Sequence, residues 1–165
     1  MTSQDDKLIS EFYEAKVRDF MDIRIWDLPL IEKEAPIPLV LSILDGKTHV
    51  WVINNAEAKE LQGVITRHDI LQILAPPSNY YRVFSFPKVY NHGIAGTAGD
   101  IMTKYPITCL ADDTVNEALK KMIGHNIRRL AVVTENIIEG ELTLRNLISK
   151  FYKATQYYPL HENQI

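Results

Sequence analysis

Thr66 and Asp69 stand three residues apart where the apolar run Leu61–Ile65 gives way to a helical pattern, and this pair offers the plainest chemistry in the chain. A hydroxyl and a carboxylate at that spacing on a helix start point the same way. The carboxylate can accept hydrogen bonds from two vicinal ribose hydroxyls while the threonine meets a phosphate or ribose oxygen, and the free N–H groups of the helix end favour an anion. The same spacing also suits a capping box, in which both side chains serve the helix's own N–H groups and no ligand is needed.

The turn occurs twice. Gly63-Val64-Ile65-Thr66-Arg67-His68-Asp69 returns, weakened, as Gly140-Glu141-Leu142-Thr143-Leu144-Arg145-Asn146 after 77 residues, and Pro29-Leu30-Ile31 returns as Pro106-Ile107-Thr108 at the same offset of 77. Between these anchors Val50–Ile53 matches Leu130–Val133 at an offset of 80, and the following loop restores the register. Loop lengths that compensate while apolar segments persist indicate one supersecondary unit present twice.

Each repeat reads as a short strand after the proline, a helix, two apolar strands and a closing helix. The first helices span about Ile37 to Leu44, after Pro36, and Val115 to Ile123, after Asp112-Asp113-Thr114. The strands are expected at Val50–Ile53, Leu61–Ile65, Leu130–Val133 and Ile138–Leu142. Ahead of them, Asp5 to about Met21 reads as a helix with an apolar stripe of Leu8, Phe12, Ala15 and Phe20. The division is an N-terminal helix at 1–16, a first repeat at 17–75, a linker at 76–97, a second repeat at 98–155 and a tail at 156–165. The linker region carries Tyr80, Tyr81, Phe84, Phe86 and Tyr90, which suit packing over an apolar face, a dimer contact or a pocket lid.

Composition excludes several classes. The chain has 165 residues, 46% of them apolar, enough for a substantial core. A net charge of −3 argues against general affinity for nucleic acid or an anionic membrane. No segment supplies a signal-peptide core or a span of about 20 apolar residues, so a soluble cytoplasmic protein is expected. Cys109, the single cysteine, reads as a small buried hydrophobe. The five histidines lack metal-site spacing, and no nucleophile elbow or glycine-rich phosphate loop is present. Asp112-Asp113 reads as a cap and dipole partner, so neither an enzyme nor a metal site is expected.

Taken together, the lead-ins Asp19-Phe20-Met21 and Asp100-Ile101-Met102, the Pro-Ile-Thr strand, the Arg-Arg-Leu-Ala-Val-Val strand and the Gly-x-x-Thr-x-x-Asp turn resemble a pair of cystathionine β-synthase (CBS) domains, a Bateman module, over about Val17 to Phe151. The resemblance implies an α/β (α+β) fold of two β-α-β-β-α repeats packed with pseudo-twofold symmetry, plus the N-terminal helix. It implies clefts for adenosine-containing ligands: AMP, ADP or ATP, with S-adenosylmethionine as a further candidate and no catalytic cofactor. In the better cleft it places Val64, Thr66, Asp69, Tyr105, Ile107, Thr108 and Arg128, with Val64 and Ile107 sandwiching adenine, backbone near Thr108 reading its edge and Arg128 toward phosphate; Arg129 and Lys104 are weaker candidates. The other cleft has Leu30, Ile31, Thr48, Thr143 and Asn146. There Asn146 replaces the family's aspartate, losing charge while retaining one acceptor, and ribose should be held less firmly. A stand-alone sensor acting in trans on an unidentified partner follows, assembled as a homodimer through helix faces such as Leu144, Leu147, Ile148 and Phe151. The alternative is a dimeric scaffold with vestigial clefts.

Overall fold

Apolar residues at i, i+3 and i+7 give the first helix of each repeat one buried stripe: Ile37, Val40 and Leu44 in one, Val115, Ala118 and Met122 in the other. In the computed structural model, which describes residues 3–74 and 96–157, these stripes lie against sheet faces of matching pattern. The order is α1 (Ser3–Glu14), β1 (Leu30–Glu32), α2 (Ile37–Gly46), β2 (His49–Ile53), β3 (Leu61–Thr66), α3 (Arg67–Leu74), α4 (Ala98–Ile101), β4 (Thr103–Lys104), β5 (Thr108–Cys109), α5 (Val115–His125), β6 (Arg129–Thr134), β7 (Ile137–Thr143) and α6 (Leu144–Tyr157). The fold is mixed α/β with two sheets and an N-terminal helix, as expected from the sequence. The aromatic linker residues Tyr80 to Tyr90 and the tail after Tyr157 lie outside the described residues. Among those described, no helix is long and apolar enough to cross a membrane.

Two compact units result, and they do not follow chain order: one is 27–106, the other 1–26 with 107–165. In the 27–106 unit the sheet order is β1-β2-β3-β4, with β1 parallel to β2 and the other pairs antiparallel. Ile31, Val50, Val52 and Ile65 of this sheet meet Ile37, Val40 and Leu44 of α2 and Ile70 of α3. In the other unit the order is β5-β6-β7, parallel then antiparallel. Cys109, Leu130, Val132 and Leu142 pack with α5, Leu147 of α6 and Val17. Phe12 of α1 adds ring contacts to Phe20 and Phe151, at centroid distances of 5.7 and 4.8 Å.

The return of the register from an offset of 80 to 77 has a local cause. The β6–β7 hairpin closes on Glu135 and Asn136, both at positive φ, as a tight two-residue turn requires, whereas 54–60 forms a longer loop between β2 and β3. Both hairpins carry an irregularity at the matching place, Val52/Ile53 and Val132/Val133.

The lead-in segments exchange partners. Thr103 and Lys104, near the start of the second repeat, pair as β4 with Val64 and Gly63 of the first. Asp22, near the start of the first repeat, bridges Glu141 of the second, each N–H donating to the other's carbonyl oxygen. Glycine permits both approaches: a methyl at Gly63 would lie 2.6 Å from Met102 Sδ and 2.8 Å from the Thr103 oxygen, and one at Gly140 would collide with the Asp22 oxygen and Met21.

One expected element is shorter than the sequence suggests. The helix expected to reach Met21 ends at Glu14, because Val17 N–H donates to the Asp113 oxygen and Arg18 N–H to the Ala111 oxygen, and fully buried Val17 anchors a separate 3₁₀ turn, Val17–Asp19. A second difference concerns the apolar face expected on α6. Leu147 is buried, Leu144 packs against the same core, and Phe151 meets Phe12; only Ile148 of that quartet is exposed, beside Tyr152.

Gly140→Ala is expected to lower stability by about 1–3 kcal/mol through overpacking against backbone. Gly124→Ala, in α5 with open space around it, is expected to raise stability by about 0.4–1 kcal/mol. Urea unfolding of both variants checks the pair. Burial, chiefly, pushes the Cys109 thiol up to about 12; Lys121 draws it down and Asp113 pushes it further up. Thiol titration at pH 8 should therefore show Cys109 reacting slowly in the folded protein and rapidly in denaturant.

Candidate functional site

Thr66 closes β3 and Arg67 opens α3, so the first turn of α3 begins with N–H groups that lack intrahelical partners. Asp69 turns back to this end. Its Oδ2 accepts from Thr66 N–H at 2.6 Å and from Thr66 Oγ1 at 2.9 Å, while among the described residues its Oδ1 accepts no hydrogen bond. Arg67, between them, reaches away to α2, donating from Nε to the Leu44 oxygen at 3.0 Å and from Nη2 to the Asp45 oxygen at 3.2 Å. That satisfies carbonyls at a helix C-terminus and complements its dipole.

The second turn repeats the geometry. Asn146 Oδ1 accepts from Thr143 N–H at 2.9 Å and from Thr143 Oγ1 at 2.6 Å, and Asn146 N–H donates to Thr143 Oγ1 at 3.2 Å. The one acceptor that Asn146 retains is therefore used by the cap, and the atom left over is the donor Nδ2.

The arrangement is not unique to these two places. Asp100 Oδ2 accepts from Thr97 N–H and Oγ1, and Glu117 Oε2 accepts from Thr114 N–H and Oγ1. The Thr97 and Thr114 boxes are exposed, whereas those of Thr66 and Thr143 are partly buried. Capping geometry alone therefore does not mark a ligand turn; partial burial is what sets the Thr66 and Thr143 turns apart.

The remaining expected residues divide between the units. With Thr66 and Asp69 in the 27–106 unit are Val64, which pairs with Trp51 and Thr103; Tyr105, 89% exposed at a φ of 54°; and Leu30, which also pairs with Trp51. A bulky residue at positive φ ahead of a proline is a strained arrangement. Ile31 is a core residue, 5% exposed, because strand alternation sends it toward α2 when Leu30 faces the other way. Thr48 is exposed and bonds His49 Nδ1 through its hydroxyl at 3.1 Å.

In the other unit, Ile107 leans on the hydrophobic core and the Thr108 oxygen accepts from Lys121 Nζ at 3.1 Å. Arg128 is exposed and makes no ion pair among the described residues; Arg129 pairs in register with Thr143. Burial draws Arg129 below its ordinary value, Glu141 opposes this, and Arg128 adds to it. Lys104 sits exposed on β4.

Sequence reasoning passed over two residues. His49, 5% exposed, is the register partner of Thr66 and meets Trp51 edge-on at 5.3 Å. Its alternation with Trp51 along β2 was the available signal. Lys121 joins the Thr108 carbonyl to Asp113, whose Oδ2 it contacts at 2.8 Å. A lysine on an amphipathic helix gives no such signal. Among the described residues, no three His, Cys, Asp or Glu side chains converge as metal ligands.

The family model "CBS domain" matches residues 17–76 and 98–153. Among solved structures, CBSX2, a CBS-pair protein of Arabidopsis thaliana, is similar with a TM-score of 0.68 and 23% identity, over 86% of this chain and 96% of that one. CBSX2 in complex with AMP gives a TM-score of 0.69 at 23% identity, over 85% and 98%. The CBS domain of a bacterial CNNM/CorC family Mg2+ transporter in complex with ATP gives 0.66 at 20% identity, over 90% and 97%. A curated relative, the homoserine O-acetyltransferase of Methanosphaera stadtmanae, is 28% identical over 109 residues, which is 66% of this chain and 18% of that protein's length.

Partial desolvation raises the Asp113 carboxyl, but hydrogen bonds from Lys121 and the Leu110 N–H, with the charges of Lys121 and Lys16, outweigh it and leave it below its ordinary 3.8. A group depressed in the folded state stabilises the fold above its unfolded value and loses that contribution as pH falls through the folded value. Wild type should thus exceed Asp113→Asn in urea midpoint at pH 7, with the gap closing below 3.8. A gap that stays constant with pH would place the effect elsewhere.

Proposed function

Because the chain belongs to the CBS-domain family, we propose that it is a regulatory module that binds an adenine nucleotide through the Thr66–Asp69 turn and passes that signal to a protein effector. The observation that carries the reading is Asp69 Oδ1, an acceptor left uncommitted on a partly buried turn at the positive end of α3. The AMP complex of CBSX2 and the ATP complex of the transporter domain support this ligand class; ADP and S-adenosylmethionine share its adenosine portion. Arg128, exposed and without an ion pair among the described residues, remains the phosphate candidate. A regulatory rather than catalytic role is supported by the family. Exposed Ile148 and Tyr152 on α6, with Leu71 and Leu74 on α3, support self-association.

A second reading has its own observation. Asp69 Oδ2 satisfies the helix start without any ligand, as a scaffold would require. Calorimetric titration with AMP, ADP, ATP and S-adenosylmethionine separates the two. Under the nucleotide reading at least one of them binds, and Asp69→Ala weakens it by about 1.5 kcal/mol or more, the scale of a hydrogen bond to a charged group. Loss of the cap costs the fold only about 1 kcal/mol. No binding of any of the four, or affinity unchanged in the variant, would favour the scaffold.

A further inference from the structure

The helices α2 and α5 hold matching places in the two repeats and close their C-termini differently. α5 closes itself: Asn126, at a φ of 52°, donates its N–H to the Met122 and Ile123 oxygens, and Ile127 N–H returns to the Met122 oxygen at 2.9 Å. α2 has no left-handed residue at its end; Lys47 is extended, with a φ of −116°, and its N–H reaches the Ile43 oxygen at 2.8 Å. The next two carbonyls, of Leu44 and Asp45, accept instead from Arg67 Nε and Nη2 at 3.0 and 3.2 Å. Arg67 is the first residue of α3 and lies between Thr66 and Asp69, so the cap that α2 does not make for itself comes from inside the turn. At the matching place of the second repeat, 77 residues on, Leu144 packs against the core.

We infer that Arg67 is a positioning residue of the Thr66–Asp69 turn, which fixes the start of α3 against the end of α2 and is not a ligand of the nucleotide's phosphate. The inference rests on the nucleotide reading of Asp69. An arginine inside a turn that receives an anion invites the opposite assignment, since its fork suits a phosphate. Here that fork is already engaged, with two donors on successive carbonyls at the negative end of α2. Turning toward a phosphate would leave both carbonyls uncapped. The bonds from Thr66 hold the Asp69 carboxylate relative to its own helix start, and pairing with His49 holds Thr66 on the sheet; neither reaches α2. The planar guanidinium supplies that link, and two bonds to neighbouring carbonyls set distance and rotation together. A start of α3 freed from α2 would carry Asp69 Oδ1 off the sugar hydroxyls, whatever is attached to the sugar.

Titration calorimetry with AMP and with adenosine, well below the melting temperature, on wild type, Arg67→Leu and Arg67→Lys, tests this. Wild type should bind both ligands. Arg67→Leu, which takes the side chain found at 144, should lose about fivefold or more in affinity for both by the same factor, because the turn and not the phosphate is affected. Arg67→Lys, which keeps a single ammonium donor, should recover part of both losses. If Arg67→Leu does not fold, the ratio of the two losses in Arg67→Lys decides in the same way. A loss confined to AMP would make Arg67 a phosphate ligand and overturn the inference. Unchanged affinities with only the melting temperature lowered would leave Arg67 a structural cap and overturn it as well. Wild type that binds neither ligand would overturn the nucleotide reading itself, and the inference with it.

Discussion

A helix start leaves N–H groups without intrahelical partners, and among the described residues a threonine with a polar side chain three residues later answers them at four places. At each, one oxygen of a planar head closes onto the threonine N–H and hydroxyl. That bond fixes the orientation of the whole head, so the second atom of the head is aimed by the cap itself. At Asp69 and Asn146, on partly buried turns, this aimed atom is the one the cap leaves over. Fold and chemistry there are two ends of one side chain.

Such turns need a rigid corner, and the sheets provide it. Thr66 and Thr143 are the last residues of β3 and β7, held in register by His49 and Arg129. Gly63 and Gly140 lie three residues earlier, where the absence of a side chain lets each lead-in segment run beside the other repeat's strand. Val64, Thr66 and Asp69 therefore depend on residues 102–104 for support, far off in sequence. The Lys121 bridge from Asp113 to the Thr108 carbonyl steadies the short strand β5 in the same way and has no polar counterpart in the first repeat, where Ile43 and Ala35 occupy the matching places.

The order of elements, the duplication and both Thr-x-x-polar turns were legible in the sequence, because apolar periodicity and capping chemistry are local. What escaped was tertiary. No period announces that the two residues Thr103-Lys104 join β3 of the preceding repeat, or that Val17 leaves the expected helix for a core, held there by the carbonyls of 111 and 113. Ile31 was readable in principle: strand alternation forbids it and Leu30 from facing the same side. The direction of Asn146 was not readable, since only the hydrogen bonds reveal which end of the amide the backbone holds.

The most direct test is a crystal structure of the protein grown with AMP. Asp69 Oδ1 should lie within about 2.5–3.0 Å of the ribose hydroxyl oxygens while Oδ2 stays on the Thr66 N–H. A nucleotide bound away from Asp69, or a carboxylate that abandons Thr66 to reach the sugar, would contradict the claim that the cap aims the ligand-binding atom.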